Sequence, residues 1–74
     1  MNDPKLARLG EQEREILTLM AEGCSNATIA ARVCLSTASV ERHISAVFAK
    51  LELPHTANRR VLAVLSYLNQ APRQ

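Results

Sequence analysis

The sequence predicts an all-α fold, a compact domain of four helices that contains a helix-turn-helix unit. Apolar residues recur at the three- and four-residue spacing of a helix face, and no segment alternates with the two-residue period of a strand. Serine, glycine and proline interrupt these segments at short intervals, so consecutive helices must pack on one another. Hydrophobic residues make up 47% of the 74 residues, which is enough for the core of one small domain.

Each predicted helix has a start or stop signal. Acids crowd the first turn of the first helix, where the helix dipole favours them, and Gly23 is a natural stop after it. Ser25 or Asn26 caps the second helix, and Ser36 caps the third. Pro54 ends the third segment, because the residue before a proline is pushed away from helical geometry. The predicted helices span about residues 11–22, 26–33, 37–51 and 56–69.

The apolar face of each helix predicts the core. The predicted inner faces are, in chain order, Ile16, Leu17, Met20 and Ala21; Ile29, Ala30 and Val33; Val40, Ile44, Val47, Phe48 and Leu51; and Val61, Val64, Leu65 and Leu68. We expect a single domain over residues 9–69, between a flexible linker segment (1–8) and a flexible tail (70–74).

Composition argues against several kinds of function. Phe48 and Tyr67 are the whole aromatic inventory, too few for a stacking platform on single-stranded nucleic acid. The longest uninterrupted apolar run, 61–65, is far shorter than the about 20 residues that cross a bilayer. The spacing of Cys24 and Cys34 fits no usual metal site, and no site gathers a nucleophile and a base. We therefore expect no enzyme, no cofactor, no metal and no membrane contact, and a cytoplasmic location.

Charge is unevenly distributed along the chain. Residues 1–31 carry a net charge of −2, and residues 32–74 carry +4. A basic half suits an anionic partner such as nucleic acid, although a solvated charged surface would look the same.

The second and third predicted helices have the arrangement of a helix-turn-helix, in which the later helix enters the major groove. Opposite its apolar face the third helix carries Ala38, Ser45 and Ala49, whose small side chains allow close approach to base edges, and Arg42, a long donor that suits guanine. Any amphipathic helix also has a polar side. Candidate phosphate contacts are the polar residues at the helix starts, one histidine and one lysine: Ser25, Asn26, Ser36, Thr37, Ser39, His43 and Lys50.

Glu41 is an unexpected residue beside Arg42, because a helix that meets an acidic polymer should avoid an acid. At the edge of the outward face, Glu41 could accept a hydrogen bond from a cytosine amino group or hold Arg42 in place for a guanine. Both interpretations stay open at this point.

One set of residues carries a resemblance to a known family. The set follows the motifs A-x-G, S-N-x-x-I-A, S-x-x-[ST]-V-x-x-H and K-L, and consists of Ala21, Gly23, Ser25, Asn26, Ile29, Ala30, Ser36, Ser39, Val40, His43, Lys50 and Leu51. From about Leu9 to Leu68 the chain resembles the LuxR-type (NarL/FixJ-type) helix-turn-helix domain. The ending HTANRRVLAVLSYL, together with VERHISAVFAKL, is similar to actinobacterial response regulators of two-component systems, where a receiver domain normally precedes the effector.

The resemblance implies sequence-specific binding of double-stranded DNA and regulation of transcription, with a dimer on inverted half-sites and RNA polymerase as a further candidate partner. It implies that Glu41, Arg42 and Ser45 read bases. It also implies that Asn26, Thr37, Ser39 and Lys50 contact the backbone, and that the exposed side of the fourth helix (Leu62, Ser66 and Asn69) forms the dimer. The alternative is a helical protein-interaction module without DNA binding, which the modest net charge and the apolar fourth helix favour.

Three positions depart from the family pattern. Gly10 stands where a threonine or serine cap is usual, which costs some helix stability, and Gln12 stands where an arginine is usual. Thr56 replaces an arginine at the start of the fourth helix, and we expect Arg59 and Arg60 to substitute for it as phosphate contacts. We also expect the chain to be an effector domain excised from a longer response regulator rather than a free-standing regulator.

Overall fold

The computed structural model describes residues 5–54 and 58–70, except for the side chain of residue 70. It contains four α-helices, and the described residues form no strand. A 3-10 turn over Leu6–Arg8 precedes them. The helices are α1 (Glu11–Ala21), α2 (Asn26–Val33), α3 (Thr37–Lys50) and α4 (Arg59–Gln70). The predicted all-α fold with a helix-turn-helix at α2–α3 is confirmed, and the bounds of the first three helices differ from the prediction by at most one residue.

The core lies around α1, which packs against α2, α3 and α4, while α2 packs mainly against α3. The side chains with the least exposure in this core come from α1, α2 and α3: Ile16, Leu17, Ile29, Val40 and Val47. All five belong to the predicted inner faces, so the periodicity of the first three helices locates their buried sides correctly.

The inner face predicted for the fourth helix is wrong. Val61 is 55% exposed, and Leu65 and Leu68 are each 50% exposed. Of the predicted inner residues only Val64 packs against the core, and Ala63, which the prediction omitted, is completely buried. The helix is therefore rotated so that its most regular apolar stripe faces outward.

The small side chain of Ala63 and one hydrogen bond of Tyr67 explain this orientation of α4. Because the side chain of Ala63 ends at Cβ, α4 can lie close to the rest of the core at that position. The hydroxyl of Tyr67, on the same side of α4, shares a hydrogen bond of 3.2 Å with Thr18 Oγ1 on α1. Tyr67 also packs against the core cluster. Its ring and hydroxyl both direct this face of α4 toward α1.

The fourth helix also begins later than predicted. Asn58 lies in a turn, and its carbonyl accepts the first helical hydrogen bond, from the Leu62 N–H at 3.0 Å. Asparagine is a favoured residue at a helix start, which agrees with a first helical residue at Arg59. The predicted start at 56 lies outside the described residues, as does Thr56 itself.

The segment before α1 is part of the packed domain, which corrects the prediction of a flexible linker over residues 1–8 for its described part. Leu6 is 3% exposed and Leu9 is 6% exposed, so both belong to the core. Arg14 donates to the Leu6 carbonyl at 3.2 Å, and Arg8 donates to Glu52 Oε2 at 2.7 Å. Two buried leucines and these long-range bonds attach the segment to α1 and to the end of α3. Residues 1–4, and 71–74 of the predicted tail, lie outside the described part.

Three helices end in a left-handed residue, and only one of these residues is glycine. Gly23 has φ +88°, as its prediction as a stop requires, whereas Cys34 and Glu52 have φ 60° and 56°. In each case the N–H of the following residue donates to the carbonyl five residues earlier in the chain, which satisfies a carbonyl at the helix end. These bonds are Cys24 N to Leu19 O, Leu35 N to Ala30 O, and Leu53 N to Phe48 O, at 3.1, 3.0 and 3.1 Å.

Candidate nucleic-acid interface

The starts of α2 and α3 are capped by serines. Ser25 Oγ accepts from the Thr28 N–H at 3.2 Å, and Ser36 Oγ accepts from the Ser39 N–H at 3.1 Å. The sequence predicts Ser36 as the cap of α3 and either Ser25 or Asn26 as the cap of α2, and the cap of α2 is Ser25. Each cap satisfies one of the N–H groups that a helix leaves without an internal partner, and others remain available to an anion. The two helix starts thus present backbone donors and the positive ends of two helix dipoles.

The outward face of α3 agrees with the prediction. Ala38, Glu41, Arg42, Ser45 and Ala49 are all exposed, on the side of α3 opposite its buried residues. Three of these five side chains are no larger than serine, so the backbone of α3 can approach another surface closely.

Arg42 is held by a neighbour on its own helix. Its Nη2 donates to Ser39 Oγ at 3.3 Å, and Ser39 Oγ accepts from Ser36 Oγ at 3.1 Å. The interpretation in which Glu41 holds Arg42 is therefore not the arrangement of the free chain. This leaves Glu41 exposed at the edge of the outward face.

An open cleft of about 370 Å³ lies beside this face, between α3 and the starts of α2 and α4. It brings predicted base-reading residues, Glu41 and Ser45, together with three predicted phosphate contacts, Asn26, Arg59 and Arg60. These residues come from three helices, so only the folded chain forms the group.

The two arginines of this cleft have structural contacts. The Arg59 guanidinium lies over the Phe48 ring, 4.9 Å from its centroid, in a cation–π contact. Arg60 donates from Nη1 to Asn26 Oδ1 at 2.8 Å and from Nη2 to the Cys24 carbonyl at 2.9 Å. Both side chains are half-buried rather than extended into solvent. Arg60 in particular directs its guanidinium into the protein.

Lys50, a predicted phosphate contact, forms an ion pair across the helix packing. Its Nζ lies 2.7 Å from Glu13 Oε1, and the same oxygen accepts from the Gly10 N–H at 2.9 Å. Burial raises the pKa of the Glu13 carboxyl, but the hydrogen bonds from Lys50 and Gly10 and the charges of Lys50 and His43 outweigh it, and the pKa falls below its ordinary value. Lys50 is thus a structural partner as well as a candidate contact.

The remaining predicted phosphate contacts differ in exposure. Thr37 is exposed at the first position of α3, whereas His43 is half-buried on the side of α3 where its charge acts on Glu13. His43 therefore lies away from the cleft described above.

The predicted dimer residues do not form the apolar surface of α4. Leu62 and Ser66 are half-buried, and only Asn69 is exposed. The exposed apolar stripe is instead Val61, Leu65 and Leu68, with 55, 50 and 50% exposure. The spacing of four and three residues marks these three residues as one apolar face. The sequence would have indicated an exposed apolar face if both sides of α4 had been considered apolar.

Glu13 is the residue of this region that sequence reasoning missed. It lies 37 residues from Lys50, and neither residue marks the other in the sequence. The signal for Glu13 was local: a glutamate three residues after a helix cap, which accepts from the cap N–H.

Within residues 5–54 and 58–70, no helix has both the length and the apolar character of a membrane span. In the same residues, no group of three or more histidines, cysteines or acids could hold a metal ion.

Comparison with known proteins gives two similar regulators. A protein named as an uncharacterized transcriptional regulatory protein, YhcZ of Bacillus subtilis, is 37% identical over 65 residues, which are 88% of this chain and 30% of YhcZ. Rv0890c of Mycobacterium tuberculosis, named as an HTH-type transcriptional regulator, is 45% identical over 42 residues, which are 57% of this chain and 5% of Rv0890c. The chain thus spans less than a third of the length of these relatives. A comparison with solved structures gives no significant match.

The family model "Bacterial regulatory proteins, luxR family" matches residues 7–66, which is most of the chain. The match includes α1, α2, α3 and the first part of α4. The resemblance stated from the sequence is confirmed. The chain therefore belongs to the luxR family of bacterial regulatory proteins, a family of DNA-binding transcriptional regulators and not of enzymes.

Proposed function

We propose that the chain binds double-stranded DNA sequence-specifically by inserting α3 into the major groove. The observation that carries this proposal is the outward face of α3, which is exposed, made mostly of small side chains, and contains one long donor, Arg42. An α-helix fits the width of the major groove, and small side chains let its backbone approach base edges. The cleft beside α3 adds groups from α2 and α4 on the same side.

The outward residues divide into two roles. Ala38, Glu41, Arg42 and Ser45 read bases, with Arg42 donating to guanine and Glu41 accepting from a cytosine amino group. Backbone contacts come from the helix starts and from basic side chains. These contacts are Ser25, Asn26, Ser36, Thr37 and Ser39, with Lys50 and Arg59 as point charges.

Two copies bind inverted half-sites, with α4 in the contact between them. The exposed stripe Val61, Leu65 and Leu68 supports this assignment, since a two-fold contact lays the same patch of each copy against the other. Asn69, from the surface predicted earlier, lies next to Leu68 and belongs to the rim. Three half-exposed side chains are a small interface, so we expect the dimer to be weak without DNA.

The wider setting is the effector domain of a two-component response regulator. The similarity of VERHISAVFAKL and of the ending HTANRRVLAVLSYL to actinobacterial response regulators supports it. In this setting the protein acts in the bacterial cytoplasm at the nucleoid, and RNA polymerase is a partner of the DNA-bound form.

A titration of duplex DNA at several salt concentrations tests DNA binding. We expect affinity to fall steeply with salt, because each phosphate that a basic side chain neutralises releases counterions. The duplex comes from a selection among random sequences, and a scrambled duplex is the control. Affinity that does not depend on salt, or that is equal for both duplexes, would contradict the proposal.

The assignment of Glu41 has a separate test. Glu41→Lys should change which sequences the selection recovers, because a lysine cannot accept from cytosine and instead donates to guanine. If the variant recovers the same sequences with higher affinity, Glu41 is only an unfavourable charge.

A protein-interaction module without DNA binding is the second candidate. The exposed apolar stripe on α4 favours it, because such a stripe needs a partner. A gel shift against random duplex DNA distinguishes the two. We expect a shift at low salt, and its absence would favour the interaction module.

A further inference from the structure

We propose that Arg60 is a positioning residue, which orients the Asn26 side-chain amide so that its NH2 group can donate to the DNA backbone. Through this contact the start of α4 is connected to the phosphate-binding end of α2. The proposal rests on the proposed function, and it replaces the expectation that Arg60 itself contacts a phosphate.

The geometry is a fork over the start of α2. The two terminal nitrogens of one guanidinium bind two acceptors: Nη1 donates to Asn26 Oδ1 at 2.8 Å, and Nη2 donates to the Cys24 carbonyl at 2.9 Å. Cys24 lies in the turn before α2, and Asn26 is the first residue of the helix. A side chain 34 residues away thus spans both sides of the Ser25 cap.

The chemistry of the two groups fixes the amide. A guanidinium has only donors, so the amide atom that faces Arg60 must be the oxygen. The NH2 group must then point away from Arg60. A phosphate has only acceptors and needs that NH2 group. Without Arg60 the amide can rotate by half a turn and present its oxygen, which a phosphate repels.

Arg60 is poorly arranged for a phosphate contact of its own. It is half-buried, and both terminal nitrogens already donate to protein acceptors. Moving the guanidinium to a phosphate would break both bonds and leave the Cys24 carbonyl without this donor. The structure therefore favours an action of Arg60 through Asn26.

A double-mutant cycle on the 74-residue chain tests the proposal. DNA affinity and its salt dependence are measured for wild type, Arg60→Met, Asn26→Ala and the double variant. Removing one hydrogen bond to a charged group should cost about tenfold, or about 1.4 kcal/mol. We expect Arg60→Met and Asn26→Ala each to lose about this factor, and the double variant to lose no more than either single variant.

The slope of affinity against salt separates the two roles of Arg60. If Arg60 acts by positioning, Arg60→Met should change the slope no more than the control Arg32→Met does. The control removes a charge on the exposed part of α2. A direct phosphate contact predicts a slope smaller by about 0.9 and losses that add in the double variant. Additive losses or the smaller slope would overturn the proposal.

A second variant and an NMR measurement complete the test. If Arg60→Met does not fold, Arg60→Lys replaces it; it keeps the charge but not the fork, and we expect about a threefold loss at the wild-type slope. In the free protein, the NMR signals of the Asn26 side-chain NH2 should shift in either variant. Unchanged signals, or unchanged affinity in Arg60→Lys, would overturn the proposal while wild-type binding stands. Wild type that binds no duplex would instead contradict the proposed function, and this inference with it.

Discussion

The ion pair between Lys50 and Glu13 joins the packing of α1 on α3 to a residue that we propose as a DNA backbone contact. Glu13→Gln removes the charge of the carboxylate but keeps an oxygen that can accept from the Gly10 N–H. The substitution therefore isolates the ion pair from the helix cap. We expect the variant to be less stable than wild type and to bind duplex DNA of any sequence more tightly, because Lys50 is released to the phosphates.

The contribution of this ion pair to the free energy of unfolding follows from the distance between the charged atoms and the exposure of the two side chains. The Nζ–Oε1 distance is 2.7 Å, and the Glu13 side chain is 13% exposed whereas that of Lys50 is 41% exposed. A hydrogen bond between charged groups contributes about 1.5–3 kcal/mol when shielded, and an exposed pair contributes less than about 1 kcal/mol. Because Lys50 is partly exposed, we expect this pair to contribute about 1 kcal/mol, close to the value for exposed pairs. For a domain of this size, that lowers Tm by about 4–8 °C.

The contribution of Glu13 to stability also depends on pH. The pKa of Glu13 is lowered below its ordinary value of 4.5, so its stabilising contribution is present above that pH and is lost as pH falls through the lower, folded-state pKa. The difference between wild type and Glu13→Gln should thus be full at pH 7 and shrink below pH 4.5.

Urea unfolding followed by circular dichroism, at pH 7 and at steps below pH 5, measures the free energy of unfolding of both proteins. Glu15→Gln is the matched control, an exposed glutamate on the same helix, and should change stability by less than about 0.5 kcal/mol. A cost of Glu13→Gln that is the same at every pH, or equal to that of the control, would show that the ion pair does not stabilise the domain.

Four further substitutions have defined outcomes. Gly10→Ser should raise the free energy of unfolding by about 0.5–1 kcal/mol in urea, because φ −71° and ψ 171° suit any residue and a Cβ would lie 3.7 Å from Glu13 Oε1; a loss would mean that the cap is strained. Cys34→Gly should stabilise by about 0.5–1 kcal/mol in the same assay, because it relieves a φ of 60°. No gain would show that the turn tolerates cysteine without cost. Arg42→Ala should cost about 1–3 kcal/mol on the selected duplex and relax preference at one base pair, whereas equal losses on all sequences would remove its reading role. Leu65→Glu should weaken binding to paired half-sites in a gel shift but not to a single half-site, and equal effects on both would argue against the α4 dimer.

Most of the fold could be predicted from local signals. Ser25, Gly23 and Ser36 mark helix ends through bonds within a few residues, and the apolar periodicity of the first three helices identifies their buried sides. The outward face of α3 could be predicted from the same periodicity, because a helix with one apolar stripe leaves only one other side.

The failures have physical reasons as well. On α4 both sides are apolar, so periodicity favoured the regular stripe at Leu65, whereas the small Ala63 makes the close contact. A helix that is apolar on two sides needs two partners, and the sequence does not say which side meets the core. Leu6 and Leu9 are the two leucines of a short polar segment before α1, too few to show a helical period.

The long-range polar contacts could not be predicted from pattern. Lys50 with Glu13, and Arg60 with Asn26, are 37 and 34 residues apart. Nothing in the local sequence distinguishes a basic side chain that binds an acid or an amide of its own chain from one that extends to a phosphate. The sequence therefore predicts which helices form the candidate interface. It does not show that Lys50 and Arg60 also bind side chains of their own chain.

We place the DNA-binding surface on α3 and the start of α2. An NMR titration of the isotopically labelled chain with the selected duplex tests this placement, because each backbone N–H reports its own environment. We predict the largest shift changes at Ser25 and Asn26 and along residues 37–45, with little change at the outer side of α1 around Glu15. Changes concentrated on α4 or on α1, with α3 unaffected, would contradict the claim.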